Sequence, residues 1–417
     1  MRRSRLWTLL AAAALAVTGA ALASAEEVTL NALFMSQAGY DEKDLRAMTE
    51  AFTAKHPDIK VNLEFVPYEG LHDKIVLANG SDHGYDSVLI DVIWPAEFAT
   101  KKLLLDTTDM VTPQLKEETL PSVWDTVAYQ GRYYGMPWTI GTKYLFYNKE
   151  MLAKAGFKDP PKTWAELAEQ ARVLKQKGIV NYPIVWSWAQ AEALICDYTA
   201  LLGAYGGQFL DGNLKPAFQS GGGLDALKYM VATLKDGTTN PNSREYLEED
   251  VRRVFQSGQA AFALNWTYMW QLGNDPKESQ VAGKIGVTAA IGVDGKSKGT
   301  GVNGSMALAI PANSKHPKEA WEYLNWMASY DMQLAHIGKV LPLIWKKAYD
   351  DPAVTKDRPE IMLAAHDGVA AMTTRPMHPD YTEVSNILQK HLQEALLDQA
   401  TPEAALDAAA SEIEALK

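Results

Sequence analysis

Apolar and polar residues follow one another along this chain in two rhythms, one of period two and one near 3.6. Residues 28–34 and the strictly alternating 60–66 read as strands, the second half-buried. Between them Leu45, Met48, Ala51 and Phe52 recur at helical spacing over 41–56, and Pro57 closes that helix. A second helix is expected over 70–79. Ser87-Val88-Leu89-Ile90 is a short apolar run, the pattern of a strand covered on both faces. Strand, helix, strand, helix, strand in this order predicts a parallel sheet with helices packed on it.

The alternation resumes further on. Strands are expected at 144–147, 184–186, 260–265, 285–290 and 306–310, with a charged loop at 294–299 between the last two. Helices are expected over 163–177, 221–235, 317–329, 385–398 and 402–416. Thr163 with Glu166 three residues on has the form of a capping box, and Gly178 stops that helix.

The first 25 residues do not belong to this pattern. Arg2, Arg3 and Arg5 precede an apolar, alanine-rich stretch, Ala23-Ser24-Ala25 offers small residues for a peptidase, and Glu26-Glu27 follows. This is the layout of a secretory signal peptide cleaved after Ala25, and it points to the periplasm. The apolar run is shorter than the ~20 residues a membrane-spanning helix needs. Loss of the three arginines makes the remaining chain more acidic than the −11 of the whole sequence. Such a balance disfavours nucleic acid and anionic lipid as partners. With 417 residues and one cysteine, Cys196 among apolar neighbours, folding is expected to rest on core packing rather than disulfides or metals. That length allows two domains.

Five segments then share a resemblance. They are Phe52-Thr53-Ala54-Lys55-His56-Pro57-Asp58-Ile59-Lys60-Val61; 85–94 with Glu97-Phe98-Ala99; Gly135-Met136-Pro137-Trp138 leading to 145–150; 161–167; and 307–311 with 313–317 and 320–324. In order and spacing the chain resembles the family-1 extracellular solute-binding proteins of bacterial ABC importers, the maltose- and trehalose-binding group. The resemblance implies an α/β, two-lobed periplasmic binding protein fold of type II, whose hinge is crossed three times. Lobe one is expected at 26–140 plus 288–331 and lobe two at 141–287 plus 332–417. It further implies a monomer that binds a sugar or polyol between the lobes and delivers it to an inner-membrane ABC permease.

Sugar recognition needs directional hydrogen bonds for hydroxyls and flat aromatic surfaces for the C–H faces of the ring. Eleven of the twelve tryptophans follow the leader. Asp91 and Trp94 come just past a buried strand, where open α/β sheets bind ligands. Asp91 reads as a ligand contact, with a helix N-cap as the other role; Trp94 fits either the ligand or the packing under the next helix. Gln37 and Tyr40 follow the first strand in the same kind of place, and an ordinary loop role is also open to them. Trp138 precedes the first crossing and is expected to face the cleft. Asn265 and Trp266 follow a strand of lobe two, with Trp266 as a stacking platform. Asn303 and Gly304 lie in a glycine-rich loop where the resemblance lets backbone approach ligand, and Met306 stands where many relatives carry Trp. Arg375 matches an arginine that reaches ligand hydroxyls in relatives.

Other classes are less well served. Gly299 to Gly304 spells G-x-G-x-x-G, but a loop precedes it and a strand follows, the reverse of a dinucleotide fingerprint. No G-x-S-x-G or H-E-x-x-H occurs, and the eight histidines have no zinc-like spacing. A glycoside hydrolase would need two carboxylates about the scissile bond, which an acid-rich sequence does not exclude. A phosphorylated ligand would favour several cationic side chains, and only Arg375 and Lys143 fall near expected cleft positions. The reading is therefore a binding protein for a neutral carbohydrate or polyol, not an enzyme, with no cofactor or metal.

Overall fold

The computed structural model describes residues 27–36, 39–81, 84–213, 215–297, 299–337 and 340–416. The signal segment 1–25 and Gln37 lie outside the described residues. Eleven strands are described: β1 (Val28–Met35), β2 (Ile59–Val66), β3 (Ser87–Asp91), β4 (Ala128–Tyr129), β5 (Arg132–Tyr133), β6 (Met136–Thr139), β7 (Tyr144–Asn148), β8 (Ile184–Val185), β9 (Phe262–Asn265), β10 (Ile285–Ala289) and β11 (Met306–Ala309). They form two main sheets, β2-β1-β3-β11-β6 and β10-β7-β9-β8, and a β4–β5 hairpin.

The first three strands pair in parallel, as their alternation with helices requires. β11 then enters antiparallel between β3 and β6. Helix Glu42–Lys55 starts where the Asp41 carboxylate accepts from the Asp44 N–H at 3.0 Å, and buries Leu45, Met48 and Phe52. Helix Pro317–Ala328 packs beside it, with the Tyr323 hydroxyl 2.8 Å from Thr49 Oγ1.

The second lobe is built on β7–β10. Helix Trp164–Gln176 is capped by Thr163 Oγ1, which accepts from the Glu166 N–H. Glu166 reaches back to the Lys162 N–H at 2.7 Å, one residue earlier than a regular capping box places it. The core of this lobe is an aromatic stack. Trp164 and Trp186 lie 5.5 Å apart, and Trp186 and Trp188 stack at 5.0 Å. Offset rings in this range attract one another beyond simple burial.

Strand pairing and hydrogen bonds mark where the chain runs on each lobe. The first passage between lobes, from β6 to β7, is at 140–143. β10 stays paired with β7 through Ala289, and the chain that follows still belongs to the second lobe. There the Trp164 N–H donates to Gly292 O and the Thr300 hydroxyl to Ala200 O. By Ser305 the chain is beside the first sheet, where its carbonyl accepts from the Val92 N–H. Gln333 and Ile344 are likewise held on the first lobe, where Gln333 Nε2 donates to Trp138 O and the Leu120 N–H to Ile344 O. Strand pairing and buried hydrogen bonds, rather than helix boundaries, fix where the chain leaves each lobe.

Trp164 is fully buried against Trp186 and Tyr229. Trp164→Ala is expected to cost about 3–5 kcal/mol, the range for deleting a large core aromatic. Urea unfolding monitored by far-UV circular dichroism checks this; a loss below about 1 kcal/mol would mean the stack is not a structural core.

Candidate functional site

Between the lobes lies a cleft of about 790 Å³. Tyr40, Asp91, Trp94, Trp138, Gly304 and Met306 line it from the first lobe and the returning chain, and Trp266 and Arg375 from the opposite side. The volume falls in the range of small-molecule sites.

At its centre is a buried ion cluster. Arg375, whose side chain is 1 % exposed, donates from Nη2 to Asp91 Oδ1 at 2.8 Å and from Nη1 to Glu192 Oε1 at 2.8 Å. Asp91 ends β3, whereas Glu192 opens helix Glu192–Ala204 of the other lobe. The Tyr68 hydroxyl donates to the second Asp91 oxygen at 2.7 Å, and the Tyr381 and Ser385 hydroxyls donate to Glu192. Burial works against the Arg375 charge, but the two carboxylates outweigh it and hold the guanidinium well above its ordinary value. The Asp91 side chain thus takes Arg375 and Tyr68 rather than capping a helix. The Arg375 Nε–H and the Tyr40 hydroxyl have no hydrogen-bond partner among the described residues. Buried donors left in this state donate to any acceptor that comes within reach.

The aromatic residues divide between wall and packing. Trp94 stacks on Tyr68 at 5.8 Å and touches His72 and Phe98, so it serves both as cleft lining and as the cover of the helix Pro95–Thr100. Trp138 donates to Met327 O and packs on Phe34 and Tyr40, leaving only an edge for the cleft. Trp266 is half-buried; its Nε1–H donates to Glu248 at 3.3 Å and Lys143 Nζ lies 5.2 Å from its ring centre. The far edge of its indole rests on Gly304, where a Cβ would stand 2.3 Å from Cη2. The glycine in that loop makes room for this ring.

Two expected residues do not reach the cleft. Asn265 is fully buried, donating to Glu248 O and accepting from the Trp266 N–H. Asn303 accepts from the Ser305 N–H and offers its carbonyl to Arg375. In both, the side-chain oxygen is taken by a backbone N–H one or two residues on. Sequence reasoning missed Tyr68, His72, Glu192, Glu248 and Tyr381. Glu248 carried a usable signal: Glu248-Glu249-Asp250 before Val251 and Phe255 is an acidic first turn ahead of an amphipathic helix.

Cys196 also lines the cleft, buried, and burial pushes its thiol well above the ordinary range, so it stays protonated. Among the described residues no group of three or more potential ligands could hold a metal, and no helix is long and apolar enough to cross a membrane.

Known proteins bear on this cleft directly. Residues 38–334 match the family model described as bacterial extracellular solute-binding protein. The chain belongs to that family. It is 31 % identical over 332 residues to a probable ABC transporter-binding protein of Deinococcus radiodurans, covering 76 % of each chain. The solved structure of maltose-bound MalE3 of T. maritima superposes with a TM-score of 0.86 at 32 % identity, over 94 % of this chain and 100 % of that one. An Agrobacterium radiobacter ABC transporter solute-binding protein in complex with ribitol gives 0.84 at 25 % identity, over 94 % and 100 %. The two-lobed architecture of this solute-binding protein is thus that of the MalE-like proteins.

A titratable pair of the first lobe sits beside the cleft, with His72 at its wall. His72 Nε2 lies 2.9 Å from Glu97 Oε2, and the Thr382 hydroxyl from the opposite lobe donates to the same oxygen at 3.2 Å. Burial opposes the His72 charge, but hydrogen bonds to Glu97 and Asp73 raise its pKa above 6.5. Burial pushes the Glu97 carboxyl up, yet His72 and Lys101 together bring it down to about 2. A raised imidazole value adds stability below pH 6.5 that fades as the pH climbs through the folded value. A depressed carboxylate adds stability above 4.5 that is lost as the pH falls toward 2. The melting-temperature gap between wild type and His72→Gln is therefore expected to be widest between about pH 4.5 and 6.5 and to narrow on both sides. A gap independent of pH would show that the pair does not titrate with folding.

Proposed function

We propose that this solute-binding protein is the periplasmic substrate-binding component of an ABC importer, exported by a signal peptide cleaved after Ala25. It captures a neutral carbohydrate, from mono- to oligosaccharide, or a polyol, and delivers it to the permease without chemical change. The observation that carries the reading is one cleft combining a half-buried tryptophan in its wall, Trp266, with buried polar groups, Tyr40 and Arg375, whose hydrogen bonding is incomplete. Stacking surface for C–H faces beside directional partners for hydroxyls is what a polyhydroxylated ligand needs. That maltose and ribitol occupy the similar structures supports the same ligand class. An anionic ligand fits poorly, because the cleft cations Arg375 and Arg253 are already paired with carboxylates.

In this reading the lobes comprise 27–139 with 301–349, and 144–300 with the remainder to 416. Tyr40, Asp91, Trp94, Trp138, Gly304, Trp266 and Arg375 form the ligand surface. Ligand bridges the two walls, and so shifts the population from open to closed lobes.

A thermal-shift screen of the purified protein against maltose, ribitol, D-mannitol, D-tagatose, sugar phosphates and amino acids tests the class. A ligand that binds only the folded state raises the melting point. A shift with a sugar or polyol supports the reading; shifts confined to phosphates or amino acids overturn it. With the responding sugar or polyol, Trp266→Ala is expected to weaken binding at least about ten-fold in calorimetry while the fold is kept. Unchanged affinity would remove Trp266 from the site.

A further inference from the structure

Behind Trp266 lies a second buried charge cluster that the ligand surface described above does not use. Lys143, the last residue of the first passage, is fully buried, and its Nζ lies 2.7 Å from Asp197 Oδ1, 2.9 Å from Ser187 Oγ and 3.2 Å from Glu248 Oε1. Burial opposes the lysine charge, and Asp197 with Glu248 more than restore it. Burial also pushes the Asp197 carboxyl up to about 6, opposed by Lys143, which leaves it ionised at neutral pH. Asp197 further accepts from the N–H and hydroxyl of Ser187 at 3.0 Å each. One cation thus serves two carboxylates.

Glu248 is the member of this cluster that faces the cleft, its side chain 22 % exposed. It opens helix Glu248–Gln256, and its carbonyl accepts from Asn265 Nδ2 at 2.9 Å. Oε1 is held by Lys143 and by the Trp266 indole N–H. Oε2 is bonded to none of the described residues. A carboxylate fixed at its backbone and at one oxygen offers the other at a defined place, beside the ring on which a sugar face would rest. It is therefore an acceptor poised at little entropic cost. The charges decide what it accepts. The Lys143, Asp197 and Glu248 cluster has one carboxylate in excess, and so does the Asp91, Arg375 and Glu192 cluster at the centre of the cleft. Two excess negative charges in a half-enclosed space favour hydrogen-bond donors and repel anions.

We propose that Glu248 is a specificity-determining residue of the cleft, accepting a hydrogen bond from a ligand hydroxyl through Oε2 and excluding acidic counterparts of the same sugar. Lys143 and Asp197 are positioning residues that hold it in place. The proposal rests on the carbohydrate or polyol reading.

The test uses matched pairs in which one end of the molecule gains a carboxylate: maltose with maltobionate, ribitol with ribonate, and mannitol with mannonate. Each is titrated calorimetrically into the wild type, Glu248→Gln and Glu248→Asp. The wild type is expected to bind the neutral member of at least one pair and to disfavour its acid. Glu248→Gln keeps an acceptor for Trp266 but loses the charge. It is expected to bind the neutral member at least about ten-fold more weakly and to narrow the neutral-to-acid ratio by a similar factor. Glu248→Asp keeps the charge and is expected to keep the ratio, even where its shorter reach weakens both members. Unchanged affinity in Glu248→Gln overturns the proposal, and so does equal weakening of both members, which would leave Glu248 only a support for Trp266. If the wild type binds no member of any pair and no sugar or polyol of the thermal-shift screen, the carbohydrate reading itself fails, an outcome distinct from either.

Discussion

Arg375 holds the binding region together. Its guanidinium is nearly inaccessible to water and ties the end of a first-lobe strand, at Asp91, to the start of a second-lobe helix, at Glu192. Removing a charge from water costs several kcal/mol, and attraction to both carboxylates with further hydrogen bonds offsets it. Loss of either carboxylate would leave a buried charge poorly compensated. The arrangement fixes how close the lobes stand, and therefore where Tyr68, Tyr381 and Ser385, each hydrogen-bonded to one of the two carboxylates, are presented.

The same logic recurs at smaller scale around Trp266. Its ring is placed by a hydrogen bond from its indole nitrogen, by the ammonium group of Lys143, and by the absence of a side chain at Gly304. Polar groups with incomplete hydrogen bonding, such as Tyr40 and the Nε of Arg375, belong to residues that line the same cleft. Satisfied groups hold the walls, and unsatisfied ones are left to read what enters.

Much of the fold is legible in the sequence because its elements are half-exposed. The alternation over 60–66 and the helical spacing of Leu45, Met48 and Phe52 record one wet face and one dry face. Helix Glu192–Ala204 leaves no such record: it is buried on nearly every side, so its apolar residues have no period. Glu192 went unnoticed with it. At the site, Trp266 and Arg375 stand out as residue types that bind sugars. Asn265 and Asn303 stand out equally, yet their amides are spent on neighbouring backbone. Residue type and position after a strand do not distinguish the two fates; only the local hydrogen bonds do. How far a strand continues is likewise decided by pairing partners distant in sequence, as β10 on β7 shows.

The place of β11 has a consequence for how the chain matures. It is the strand between β3 and β6, so the first sheet lacks a central member until residues 306–309 exist. All four strands of the second sheet come from one uninterrupted stretch, β7 to β10. During vectorial export the inserted lobe can complete its hydrogen-bond ladder while the lobe that begins the chain is still waiting for its middle. The part that emerges first finishes last, and its open strand edges are the surface most in need of protection in the interval.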